Sequence, residues 1–126
     1  LWSPNSKFLF TVQLDERRVD TLPSILYVPQ DGSLRPKVKE CKYALPGDKH
    51  LAEYRFLILD VETGGEVDAD YAPVEDTFIW HGVFSGNRAW WSGDSKKAYF
   101  LDMARGQKSV RVVEQYLDAL LTKEKK

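Results

Sequence analysis

Trp2-Ser3-Pro4-Asn5-Ser6-Lys7 and Trp91-Ser92-Gly93-Asp94-Ser95-Lys96 are two versions of one hexapeptide, set 89 residues apart. Each runs into a strand-forming stretch, Phe8-Leu9-Phe10-Thr11-Val12 after the first and Ala98-Tyr99-Phe100-Leu101 after the second. Pro-Asn-Ser and Gly-Asp-Ser supply the fixed φ, the tolerance of left-handed backbone and the short side-chain acceptors that a tight turn needs. Each copy therefore reads as a hairpin corner, with its Trp packed between neighbouring sheets, where a large ring gains most from burial. Half of the spacing falls within the roughly 40 to 50 residues that a four-stranded propeller blade occupies. The chain is accordingly expected to hold about two blades, with a middle copy of the motif lost or remodelled, and to be a piece of something longer.

Outward from the corners, the chain reads as a series of short strands. Residues 7–14 form the first, closing on the charged cluster Asp15-Glu16-Arg17-Arg18. Ile25-Leu26-Tyr27-Val28 stops at Pro29 and the turn Gln30-Asp31-Gly32-Ser33, and Lys37 to Leu45 follows, closed by Pro46-Gly47-Asp48. Tyr54 to Val61 is almost continuously apolar, which predicts a strand buried on both faces. Glu62-Thr63-Gly64-Gly65 turns the chain into an acidic stretch that reads as a loop or as a short edge strand over 67–71. Phe78 to Phe84, Arg88 to Trp91 and Lys97 to Met103 are further strands. Beyond Ser109, a strand over 109–114 and a short helix from about 114 to 122 are expected, because Val110, Val113, Leu117, Leu120 and Leu121 fall at helical spacing. The fold class is all-β, antiparallel sheets with a short C-terminal helix, in one partial propeller domain over residues 1–126.

Composition narrows the function. With 43% hydrophobic and 13% aromatic residues in 126, there is apolar surface for one core. A formal charge of −1 with both signs interspersed offers no basic field for nucleic acid, and no apolar run is long enough to cross a bilayer. The single Cys41 excludes an internal disulfide framework, and strand alternation places it as an inert core thiol. Gly82-Val83-Phe84-Ser85-Gly86 is the nearest approach to a nucleophile elbow, but its serine stands one place late, so Ser85 reads as a turn residue. His50 reads as a solvated loop side chain and His81 as a structural one, and neither sits in a triad-like setting. One Cys and two distant His give no metal-ligand pair, and Glu66-Val67-Asp68-Ala69-Asp70 lacks the glycine and distal glutamate of a calcium loop. No catalytic residue, metal site or cofactor is expected.

The order Leu1-Trp2-Ser3-Pro4-Asn5-Ser6-Lys7, Gln13-Leu14-Asp15-Glu16-Arg17-Arg18-Val19, Leu34-Arg35-Pro36, Tyr43-Ala44-Leu45-Pro46-Gly47-Asp48, Leu59-Asp60-Val61-Glu62-Thr63-Gly64 and Trp90-Trp91-Ser92 resembles the N-terminal β-propeller of the dipeptidyl peptidase IV family, serine exopeptidases of the prolyl oligopeptidase clan. The likeness runs from residue 1 to about residue 114. It implies a parent enzyme in which a propeller covers a separate α/β-hydrolase domain, gates access to it and helps to position the peptide substrate. The family's paired glutamates, which hold the substrate's amino terminus, would precede Leu1. Where family members continue with another strand, Gln115 to Leu121 reads instead as helix. The chain is then non-catalytic by itself, and Asp15, Glu16, Arg17 and Arg18 are its candidate substrate- or partner-facing residues, set against the plainer reading of an exposed strand end with local ion pairs.

A different class of function is a stand-alone module. Trp80, Trp90 and Trp91 with Tyr99 suggest an aromatic platform for sugar rings, although successive strand residues point to opposite faces, so one of Trp90 and Trp91 must be core. Open sheet edges would suit peptide binding. Two blades alone would also expose apolar faces and unpaired strand groups, which predicts a homo-oligomer for the isolated chain.

Overall fold

The computed structural model describes residues 1–75, 88–103, 106 and 108–124. The strand expected over Phe78–Phe84, with Trp80, His81 and Ser85, lies outside them. The described chain divides into two compact units, Leu1–Asp15 with Glu53–Lys126, and Glu16–Ala52.

In the first unit, β1 (Phe8–Asp15) pairs antiparallel with β4 (Glu53–Asp60). β4 pairs in turn with β5 (Glu66–Asp68) and, at its start, with β6 (Val74–Glu75). A second sheet runs β7 (Ala89–Trp91), β8 (Lys97–Met103), β9 (Val110–Tyr116), all antiparallel. The expected all-β class with antiparallel sheets is what the chain adopts. β4 is the central strand of its sheet, and Tyr54, Phe56, Leu57 and Ile58 are buried, as its apolar run predicts. Its turn into β5 is closed by Asp60, whose carboxylate accepts the amides of Glu62 (2.9 Å) and Thr63 (3.2 Å), while Gly64 takes the positive φ of 71° that a side chain would resist.

The two sheets stack face to face through aromatic rings. Phe56 of β4 lies flat on Phe100 of β8, with centroids 3.8 Å apart, and Phe10 of β1 stands 5.8 Å from Phe56 and 6.0 Å from Phe100. Phe10 and Phe100 are fully buried. Side chains that meet across two sheets in this way remove large apolar areas from water, which makes this layer the core of the described sheets.

The corners are the same object built twice. In the first, the Ser3 hydroxyl donates to Asn5 Oδ1 (2.7 Å), the Lys7 amide donates to the same oxygen (3.1 Å), the Phe8 amide donates to Ser3 Oγ (3.0 Å), and Ser6 has φ 59°. In the second, Ser92 donates to Asp94 Oδ1 (2.6 Å), the Lys96 amide donates to it (3.0 Å), the Lys97 amide donates to Ser92 Oγ (3.0 Å), and Ser95 has φ 61°. The corners touch, because the Asn5 amide donates to Ser95 Oγ at 3.0 Å. They therefore belong to adjacent sheets, with no middle copy between them. The wide spacing has another source: the second unit, Glu16–Ala52, is inserted between β1 and β4, whose facing ends Asp15 and Glu53 are register partners.

That second unit carries β2 (Thr21–Leu26) and β3 (Lys37–Lys42), an antiparallel pair. Pro23 sits within β2 opposite Glu40, a position open to proline in a two-stranded ribbon, where each strand has one unpaired edge. Cys41 is exposed and opposite Leu22, which corrects its reading as a core thiol. Alternation buries a side chain only where a second layer covers that face, and both strands of this ribbon are exposed along nearly their whole length.

Two further expectations change. Trp91 does wedge into the interior, tilted against Phe8 (6.5 Å) and edge-on to Phe10 (6.3 Å), with its Nε1 donating to the Leu1 carbonyl (3.1 Å). Trp2 does not; it is 56% exposed on the far face of its sheet. The C-terminal join also lies later. β9 continues to Tyr116 because its ladder with β8 runs the full length, Lys97 facing Tyr116, and the helix α1 (Leu117–Glu124) starts only there. Asp118 in its first turn and Lys123 in its last suit the helix dipole, and Leu117 and Leu120 are its buried face.

Candidate functional site

The sequence singled out Asp15-Glu16-Arg17-Arg18, and the structure puts the division between the two units inside it. Asp15 is the last residue of β1, half-buried, with Glu53 directly opposite. Glu16 is half-buried at the start of the second unit, and its carbonyl accepts the Val19 amide (3.1 Å), turning the chain back. Arg17 and Arg18 are exposed in that turn. The Arg18 guanidinium lies 2.6 Å from His50 Nδ1. A guanidinium only donates, so Nδ1 is the accepting atom of this contact. His50 thus meets Arg18 in an exposed contact within its loop. Among the described residues, this pair has no carboxylate orienter and no nucleophile bonded to it.

Pairing at this end of the first sheet produces something that chain order conceals. Asp15 faces Glu53, and Glu53 faces Glu75, so three acidic residues from β1, β4 and β6 are register neighbours in one row across the sheet. Glu75 also lines an open groove of about 510 Å³ bounded by the segment Tyr71–Glu75, Asp102 and Arg111. Asp102 and Arg111 are cross-strand partners on β8 and β9. The Tyr71 hydroxyl donates to Asp102 Oδ2 at 2.7 Å, and its ring stands edge-on to Phe100 at 5.4 Å. The Asp102 carboxylate that it donates to, together with partial burial, pushes the phenol above its ordinary range. A volume in the range of small-ligand sites, rimmed by acids with one guanidinium, favours a cationic or amino-terminal group over an anion.

Sequence reading missed this row and groove because its members come from five separate stretches of chain. The only available signal was alternation: Glu53, Glu75 and Asp15 each end or begin an apolar strand.

Elsewhere, the acidic stretch Glu66-Val67-Asp68-Ala69-Asp70 is bonded to cations on the exposed surface. Arg55 Nε donates to Asp68 (2.5 Å), its Nη1 to Gln13 Oε1 (3.1 Å) and its Nη2 to Glu66 (3.2 Å), linking β1, β4 and β5 across the exposed face of the sheet. Lys123 of α1 reaches Asp70 at 2.5 Å beside a smaller cavity of about 280 Å³. Trp90 stacks on Tyr99 (5.4 Å, 11° between planes) on the exposed face of the second sheet, opposite to Trp91, as strand alternation requires. Among the described residues, no group of three His, Cys, Asp or Glu side chains is placed to hold a metal ion, and no helix is long and apolar enough to cross a membrane.

Compared with known proteins, the chain matches the family profile described as "Dipeptidyl peptidase IV (DPP IV) N-terminal region" over residues 1–125. No curated protein and no solved structure gives a match. The duplicated Trp-led corners, the stacked antiparallel sheets and this nearly full-length match place the chain in the dipeptidyl peptidase IV N-terminal region family.

Proposed function

We propose that the chain serves as part of the propeller of a dipeptidyl-peptidase-IV-like serine peptidase, one partial domain that gates access to a separate α/β-hydrolase domain and helps to position the peptide substrate there. It contributes no nucleophile and no base of its own. The observation that carries this reading is the family match over residues 1–125, on a chain whose two corners are built with the same bonds. Asp15, Glu16, Arg17 and Arg18 take the substrate- or partner-facing role. In support, Asp15 stands in a row of carboxylates suited to a peptide's ammonium group, within the low-dielectric confines that a covering domain would create.

The test is hydrolysis of a dipeptidyl p-nitroanilide by the complete gene product and by its Asp15→Asn, Glu16→Gln and Arg17→Ala variants. The variants are expected to raise KM about three- to tenfold with kcat nearly unchanged, the sign of lost uniform binding. Unchanged KM in all three removes the positioning role. A complete gene product without Gly-x-Ser-x-Gly, or one inactive on every dipeptidyl substrate, overturns the peptidase reading.

A further inference from the structure

The second unit begins at Glu16 and turns back at once, the Val19 amide donating to the Glu16 carbonyl (3.1 Å). A bond of that kind closes a turn on itself and does not fix where the turn lies. Two others tie it to β3. The Tyr43 amide donates to the Asp20 carbonyl (3.1 Å), one step beyond the end of the ladder, where Thr21 faces Lys42. The next carbonyl back, that of Val19, lies past the ladder altogether, and Lys42 Nζ donates to it at 2.6 Å. An ammonium on a carbonyl is charge-assisted, shorter and stronger than the neutral bonds around it. Lys37 of the same strand pairs with Asp31, whereas Lys42, among the described residues, joins no carboxylate in an ion pair; its charge is directed at main chain. Val19 is therefore held at both ends, its side chain buried and its carbonyl clamped.

From this we infer that Lys42 is a positioning residue: through the Val19 carbonyl it fixes the turn that presents Glu16 and Arg17, and so sets the affinity for the peptide substrate without touching it. The inference rests on the substrate-facing role proposed above for that turn. Side chains that leave a fixed backbone have less freedom to lose when a ligand arrives, so binding is stronger for the same contacts. With the clamp removed, the turn keeps its internal bond and its tie through Asp20 but gains freedom about Val19, and ordering it again weighs on the bound substrate and on the transition state alike. The effect therefore belongs in KM and leaves kcat alone. Lys42 suits this task by reach. It stands on β3 opposite Thr21, and only a long side chain ending in a donor can run from there to a carbonyl outside the ladder.

The experiment measures KM and kcat of the complete gene product on a dipeptidyl p-nitroanilide, as wild type, Lys42→Met, Lys42→Arg and Lys39→Met. Methionine keeps the apolar stem without a donor, and arginine keeps both charge and donors. Lys42→Met is expected to raise KM about three- to tenfold with kcat nearly unchanged, and Lys42→Arg to stay within about twofold of wild type. Lys39→Met removes a charge from the other face of β3 and is expected to leave KM as it was. Added to Glu16→Gln with Arg17→Ala, Lys42→Met is expected to raise KM by less than about twofold more, because the groups it acts through are already gone. Should Lys42→Met fail to fold, Lys42→Gln, whose amide is too short to reach the Val19 carbonyl, replaces it with the same expectation. An unchanged KM in Lys42→Met, while Glu16→Gln or Arg17→Ala raises it, overturns the inference and leaves the role of the turn standing. Equal rises in Lys42→Met and Lys42→Arg, or full additivity in the combined variant, overturn it too. If Glu16→Gln and Arg17→Ala are themselves silent, the substrate-facing role falls and the inference with it.

Discussion

Asn5 and Asp94 hold the same place in the two corners with the same two bonds, one from a serine hydroxyl and one from a backbone amide, yet only one of them titrates. The Ser92 hydroxyl, with the Lys96 amide behind it, holds the Asp94 carboxyl below the ordinary aspartate range. Its stabilising share is whole above that range and is lost as pH falls through the lowered value. Asp94→Asn, which can keep both bonds of the corner as Asn5 does, is therefore expected to flatten the acid side of a plot of urea midpoint against pH. The serines at positive φ make a sharper pair. Ser6→Gly relieves a backbone conformation unfavourable to a side chain and is expected to stabilise by roughly 0.5–1 kcal/mol. Ser95→Gly relieves the same strain but removes the acceptor of the Asn5 amide, a loss of about 0.5–1.5 kcal/mol, so its net gain should vanish. Urea unfolding at high dilution compares the two; equal gains would mean that the contact between corners contributes nothing.

At the scale of elements, β9 and α1 show what pattern alone decides and what it does not. Val113, Leu117, Leu120 and Leu121 sit at helical spacing, and the helix is real, but the backbone of Gln115 and Tyr116 belongs to the β8 ladder. Gln115 is the reason that a sequence reader would not guess: its side chain is buried, and Oε1 accepts the Asp70 amide at 2.8 Å, stitching β9 to the chain after β5. Gln115→Ala leaves that amide without its partner and is expected to cost about 1–3 kcal/mol by urea denaturation. β4 was legible because a strand buried on both faces writes itself as an unbroken apolar run. The corners were legible because the bonds that shape each turn lie within six residues. Cys41 and Trp2 were misread for one shared reason: alternation tells which face a residue takes, and burial depends on what else lies over that face. The Arg55 network and the carboxylate row were invisible because register between distant strands carries no local signature.

Over the whole molecule, the ring stack of Phe10, Phe56 and Phe100 joins the two sheets, and Phe100 touches every part of it. Phe100→Ala is expected to destabilise by about 3–5 kcal/mol, with loss of near-ultraviolet circular dichroism, while Leu34→Asp in the second unit, fully exposed, should change nothing measurable. The inserted unit offers its own test. Since Asp15 and Glu53 are partners across β1 and β4, replacing Glu16–Ala52 by Asn-Gly supplies the two-residue turn that an antiparallel pair prefers. The shortened protein is expected to keep a cooperative unfolding transition and its aromatic circular dichroism; a non-cooperative melt would show that the first unit depends on the excised segment.

The self-contained bonding of the corners also sets an order of events in time. The bonds that shape each turn are local and close before the corners meet through Asn5 and Ser95, so both reversals form early, on the microsecond scale of small hairpins, and β7 and β8 follow at once from the second. β1 has no such neighbour: its mate β4 arrives only after the whole excursion from Glu16 to Ala52 has been traversed, and entropy of closure weighs on that meeting. Assembly should therefore advance from the C-terminal sheet backwards, with the pairing of β1 and β4 as the slow kinetic step.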